Sequence, residues 1–141
     1  MARPPSPLRT VARILLGAFL VAAGVAHLLI PDEFLAQVPP LLPAPDAIVL
    51  VSGLVEIALG AAVLLAPARR RAAVGLAVAA LFVLVFPGNV AQYLTGTDAF
   101  GLDTDGARAV RLLFQPLLVL WALWACGSLP LRRRRTTAAP R

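Results

Sequence analysis

Residues 47–66 read AIVLVSGLVEIALGAAVLLA, twenty positions in a row among which Glu56 is the only ionisable side chain. At about 1.5 Å of rise per residue, a helix of this length reaches across roughly 30 Å of hydrocarbon. Pro67 closes the run, and three more of the same kind surround it. Before it lies 11–30 (VARILLGAFLVAAGVAHLLI), closed by Pro31. After it comes 72–94, which starts AAVGLAVAALFVLVF and continues past Pro87 and Gly88 through NVAQYL. The last is 109–129 (AVRLLFQPLLVLWALWACGSL), with Pro116 inside it and Pro130 just after. Leu, Ala and Val dominate all four, and no stretch alternates in polarity as the strands of a membrane barrel do. The expected fold is all-α, a four-transmembrane-helix bundle spanning 11–129, with outer loops 31–46 and 95–108 and basic tails 1–10 and 130–141.

Composition agrees. Of 141 residues, 60% are hydrophobic and 14% charged, against roughly half and a quarter in soluble domains. The net charge of +6 comes wholly from arginine, since there is no lysine. A basic chain can bind nucleic acid when its charge forms a surface on a soluble fold. Here the arginines sit between apolar runs, so nucleic acid is excluded as a partner and anionic lipid headgroups are expected instead. The lone Cys126 rules out an internal disulfide or a two-cysteine relay within the chain.

Charge also orients the helices. Arg3, Arg9 and Arg13 flank the first, Arg69, Arg70 and Arg71 occupy the turn between the second and third, and Arg132–Arg135 and Arg141 end the chain. The opposite loops carry Asp32, Glu33 and Asp46, then Asp98, Asp103 and Asp105, with Arg108 and Arg111 at the outer end of helix four. The positive-inside rule places both termini in the cytoplasm and the chain in the plasma membrane as a multi-pass protein. The first run is expected to be a retained helix, because it is long for the apolar part of a signal peptide.

The loop 31–46 (PDEFLAQVPPLLPAPD) holds five prolines among apolar residues, the makings of a stiff lid at the membrane surface. The loop at 95–105 is rich in Gly and Asp and is expected to form turns. It lacks the ordered ligand spacing of a calcium loop, and no metal site is expected.

Ionisable groups within hydrocarbon are costly and therefore informative. At about 100° per residue they fall on shared stripes. These are Arg13, Gly17, Gly24 and His27 on helix one, and Ser52, Gly53, Glu56 and Gly60 on helix two. Helix three contributes Gly75, Ala79, Phe82, Phe86, Asn89 and Tyr93, with a bend expected at Pro87. Helix four contributes Arg111, Gln115, Leu118, Ala122 and Cys126. Glu56 falls near the midplane, and His27, Asn89, Arg111 and Gln115 fall in the outer half. These five are expected to converge on one outward-facing pocket, with Tyr93 as a further candidate for its wall. At that depth Glu56 either carries a proton or meets a cation. Arg111 is the expected partner, and His27, whose ordinary pKa lies near neutrality, is the alternative.

His27, Glu56 and Arg111 are thus the candidate catalytic residues, and Asn89, Gln115 and Tyr93 the candidate ligand contacts. The bland alternative is that the cluster only locks helix packing. Arg13 is expected to snorkel to the surface, Cys126 to act as a small apolar residue, and Trp121 and Trp124 to anchor at the interface.

Several short patterns occur in a set order: Ala23, Gly24 and His27 at the end of helix one, Pro31 and Phe34 after it, and Val38-Pro39 in the loop. Ser52, Gly53, Leu54 and Glu56 follow in helix two, and Phe86, Pro87 and Asn89 in helix three. Together they resemble the DoxX-like family of small four-helix membrane proteins from about Arg13 to Gln92, with helix four matching mainly in position and polarity. The resemblance implies a link to membrane-bound redox complexes and thiosulfate–quinone oxidoreduction, in which members work with other subunits. This chain has no dithiol, haem-ligand pair or dinucleotide fingerprint of its own. Any redox role would therefore pass through a bound quinone or a redox partner protein, and oligomer formation is left open. The leading function is a pocket for a quinone-like or lipid-like ligand. A carbocation isomerase is weakened by the scarcity of aromatic residues near Glu56, and a small transporter by the lack of an inverted repeat.

Overall fold

A computed structural model describes residues 6–129. The tail arginines Arg3, Arg132–Arg135 and Arg141, and Pro130, lie outside the described residues. Every element is a helix: α1 Pro7–Leu29, α2 Pro31–Leu35, α3 Pro45–Leu65, α4 Ala68–Thr95 and α5 Asp105–Cys126. All but the short α2 are long and apolar enough to cross a membrane.

The helices begin and end where local chemistry permits. Ser6 accepts a hydrogen bond from the Arg9 amide at 3.4 Å ahead of Pro7, and Thr104 accepts one from Ala107 at 3.2 Å, so both satisfy orphan N–H groups of a first turn. Pro31 cannot continue α1. Gly96 and Gly127 end α4 and α5 in the left-handed conformation, at φ 64° and 77°, which costs glycine little.

The span boundaries differ from the apolar runs at both kinds of end. Only Ala66 and Pro67 separate α3 from α4, so Arg69, Arg70 and Arg71 lie in the first turns of α4 rather than in a connecting turn. Likewise α5 starts at Asp105, four residues before its apolar run. Hydropathy marks what hydrocarbon tolerates, whereas helices continue until a cap or a proline stops them. α4 passes Pro87 as one helix of 28 residues.

α1 and α3 pack antiparallel along two reciprocal glycine contacts. A Cβ on Gly24 would stand 2.5 Å from the Gly53 carbonyl oxygen, and one on Gly60 would stand 2.8 Å from that of Gly17. The backbones therefore touch, which is how helices cohere where lipid supplies no hydrophobic drive. α4 and α5 form the second tight pair, with Gly75 seated against Ala122, Cys126 and Ser128. α1 also meets α5, while α3 and α4 touch sparsely. Leu16, Leu20, Val63, Val78, Phe82 and Ala122 belong to the buried apolar core.

Three residues do more than their sequence context indicates. The Arg13 guanidinium donates to the carbonyls of Val63 and Leu64, at 2.5 and 3.2 Å. It neutralises the free carbonyls at the end of α3 instead of merely reaching for the surface. Trp121 donates to the Ala12 carbonyl at 3.1 Å and so joins α5 to α1. Arg108 is buried and bridges Asp98 and Asp105, each at 2.9 Å, holding the α4–α5 loop closed. Trp124 lies under the Arg9 guanidinium, and Cys126 is buried within the core.

The glycine seam sets a test. Gly24→Val should destabilise the bundle by about 1–3 kcal/mol, because backbone atoms of α3 cannot yield as side chains do. Gly106→Ala, whose new methyl meets nothing within 4 Å, should be neutral or slightly stabilising. Unfolding in mixed micelles of rising denaturing-detergent fraction reads both.

Candidate functional site

The two tight pairs leave a cavity of about 370 Å³ between them, within the roughly 300–1,000 Å³ of small-molecule sites. α1 contributes Phe19, Ala23 and His27, and α3 contributes Ile48, Val49, Ser52 and Glu56. Facing them are Phe82, Pro87, Gly88 and Asn89 of α4, and Arg111, Phe114, Gln115 and Leu118 of α5. Gln37, Val38, Pro39 and Leu42 cover it from the proline-rich segment. Leu84 and Phe114, 76% and 55% exposed, also line it, so the space continues to the apolar outer surface of the bundle.

Helix direction explains how the polar residues meet. Side chains lean toward the N-terminus of their own helix. α1 and α3 are antiparallel, so His27 leans inward and Glu56 leans toward the loops, and they lean toward each other. His27 Nδ1 stands 3.3 Å from Glu56 Oε2. The same nitrogen is 2.9 Å from the Ala23 carbonyl oxygen. A carbonyl can only accept, so Nδ1 carries the hydrogen and directs it to Ala23. Among the described residues Glu56 Oε2 is left as a buried oxygen without a hydrogen-bond partner, in a residue only 9% exposed. The His27 ring is stacked on Phe34 with centroids 3.6 Å apart, and Phe34 meets Phe100 edge-on at 4.8 Å.

Arg111 does not pair with Glu56. Its guanidinium donates to Gln92 at 3.0 Å and to Gln37 at 2.5 Å, and it lies over the Phe100 ring. α5 and α3 run the same way, so both side chains lean toward the loops and the depth offset between them stays open. His27 takes the place next to Glu56.

Asn89 and Gln115 sit on antiparallel helices and lean together. Asn89 donates to Gln115 Oε1 at 2.9 Å, and Gln115 donates in turn to the Phe82 carbonyl. That carbonyl is one residue from Val83, whose own helical bond Pro87 removes. Tyr93 is absent from the cavity wall and is 38% exposed. The neighbouring Gln92, 2% exposed, turns inward to meet Arg111 and so carries Tyr93 outward by about 100°.

Five of the six candidates, His27, Glu56, Asn89, Arg111 and Gln115, therefore share one cavity. Gln37 and Gln92 are functional neighbours that the sequence reading passed over. Both are uncharged amides that carry little signal alone, although Gln92 lies three residues after Asn89 and so on its face. The segment 31–42 behaves as the expected lid. Gln37 is tied to Arg111, and the Glu33 carboxylate accepts the Phe100 amide.

Gln115→Leu should cost about 1–3 kcal/mol, since it strands a buried Asn89 amide. Adding Asn89→Leu should recover most of the loss. A double-mutant cycle of unfolding free energies measures the coupling.

Comparison with known proteins gives a family match. The family described as domain of unknown function (DUF8561) aligns with residues 16–126, from the middle of α1 to the end of α5. No curated protein and no solved structure matches the chain. The aligned region holds the glycine seam, the lid and every residue of the cavity, and the chain belongs to the DUF8561 family.

Proposed function

We propose that the cavity holds a lipophilic ligand, quinone-like or lipid-like, and that the protein serves as the membrane subunit or accessory of an oxidoreductase. In this reading the chain is a DoxX-like protein of the plasma membrane. Both termini are cytoplasmic, the lid faces outward, and a partner protein supplies or removes electrons. The observation that carries it is Glu56 Oε2, buried on a cavity wall with no hydrogen-bond partner among the described residues. A buried carboxyl oxygen left unpaired is costly, and a polar group on a ligand would relieve that cost. The continuation of the cavity to Leu84 and Phe114 suits a ligand that arrives from the lipid. His27 and Glu56 would hold or protonate its oxygen, and Arg111 would act as a charge clamp. Asn89 and Gln115 form the opposite wall, and Tyr93 takes no part.

A second reading has its own support. Asn89, Gln92, Arg111 and Gln115 bond to one another or to backbone across α4, α5 and the lid. A scaffold or small transporter in which the cluster only locks helix packing would use them in this way.

Purification in mild detergent followed by mass spectrometry of extracted lipids separates the readings. The first expects an enriched quinone or specific lipid, reduced at least about tenfold by Glu56→Gln, which corresponds to roughly 1.4 kcal/mol. No enrichment, or an unchanged ligand in a folded Glu56→Gln protein, overturns it. Orientation is tested with Leu41→Cys in a Cys126→Ala background, since Leu41 is 95% exposed at the lid tip. An impermeant maleimide should label it in intact cells, and labelling only after permeabilisation would reverse the topology.

A further inference from the structure

His27 has a second side. Beyond it lies a smaller pocket of about 240 Å³ lined by His27, Leu28, Pro31, Leu35, Asp46, Val49 and Leu50. Leu28, Pro31, Asp46 and Leu50 are exposed, so this pocket opens at the loop end of the bundle. His27 thus lines both the interior cavity and a pocket open to the outside. Its Nδ1 is committed to Ala23 and lies beside Glu56. Its Nε2 makes no hydrogen bond among the described residues, which leaves it as a free acceptor in the neutral ring.

We infer that His27 passes protons between the small pocket, entered at Asp46, and Glu56 in the ligand cavity. The inference rests on the cavity being a ligand site and adds the route by which that site exchanges protons. In the uptake direction a proton from water in the small pocket bonds to Nε2. The Nδ1–H bond then breaks and its proton goes to Glu56 Oε2, 3.3 Å away. Glu56 passes it to the ligand oxygen. One positive charge crosses the wall and no electrons move; the ring is left as its Nε2–H tautomer and resets when water carries that proton from Nε2 back to Nδ1. Release is the reverse.

The surroundings favour this direction of traffic. α3 supplies the two acids, Glu56 within and Asp46 at the entrance. α2 offers the Phe34 ring, which stacks on the imidazole and keeps it upright between the two spaces. Arg111 of α5 lines the same cavity but is engaged with Gln37 and Gln92, so it does not compete for Glu56. α1 itself brings no other titratable group to the pocket, whose remaining lining is apolar.

The test needs no ligand. Full-length protein in lipid films is exposed to D2O, and the infrared carboxyl band, assigned to Glu56 by its disappearance in Glu56→Gln, reports the rate of exchange. His27→Gln should slow exchange at least about a hundredfold, the low end of what a positioned acid–base group contributes. Asp46→Asn and Leu28→Trp, both at exposed positions where folding is not at stake, should slow it without moving the band. Exchange at the wild-type rate in folded His27→Gln overturns the relay. So does an unchanged rate in both surface variants. Because the readout is proton exchange rather than co-purified ligand, failure here leaves the ligand proposal standing, and the two failures are distinguishable.

Discussion

Everything in this bundle depends on how closely α1 and α3 approach. With Gly17 against Gly60 and Gly24 against Gly53, the two backbones make direct contact, and dispersion between them replaces the hydrophobic force that lipid withholds. The same approach builds the site. A methyl on Gly53 would stand 2.6 Å from His27 Cβ, so only glycine there lets His27 come beside Glu56. Stability and polar geometry are set by one pair of contacts.

The other half of the molecule obeys a different rule. α4 and α5 each carry an internal proline, Pro87 and Pro116, which removes a backbone donor at mid-membrane. Beside the Val83 carbonyl that Pro87 leaves without its helical donor, Gln115 donates to the Phe82 carbonyl, and Asn89 binds Gln115. Asn89 and Gln115 in this pair are bonded to one another and to the backbone, while in the first pair Glu56 Oε2 has His27 as a neighbour but no hydrogen-bond partner among the described residues. This contrast is why Glu56 and His27 carry the functional argument and the amides carry the architecture.

The helices and their polar faces were legible because hydrocarbon imposes strict rules on what a span contains, and the glycines of α1 and α3 already lay on shared stripes. Partnerships were not legible. Depth alone pointed Glu56 at Arg111, whereas the lean of side chains along antiparallel helices selects His27. Arg13 and Trp121 show the same limit: each bonds to a carbonyl some 50 or more residues away, and a carbonyl leaves no mark in a sequence. Tyr93 and Gln92 differ by one position, less than a helical-wheel argument resolves across a proline.

The sparse meeting of α3 and α4 bears on how the molecule is made. The chain comes off the ribosome in the order in which its two cohesive hairpins occur, and domains tend to fold as units during synthesis. α1 and α3 can clasp each other before α5 exists. The cavity has no separate folding event of its own, since it is the seam left when the second hairpin docks on the first. The width of such a seam is set between the hairpins, so a slight swing of one changes it without breaking a contact inside either.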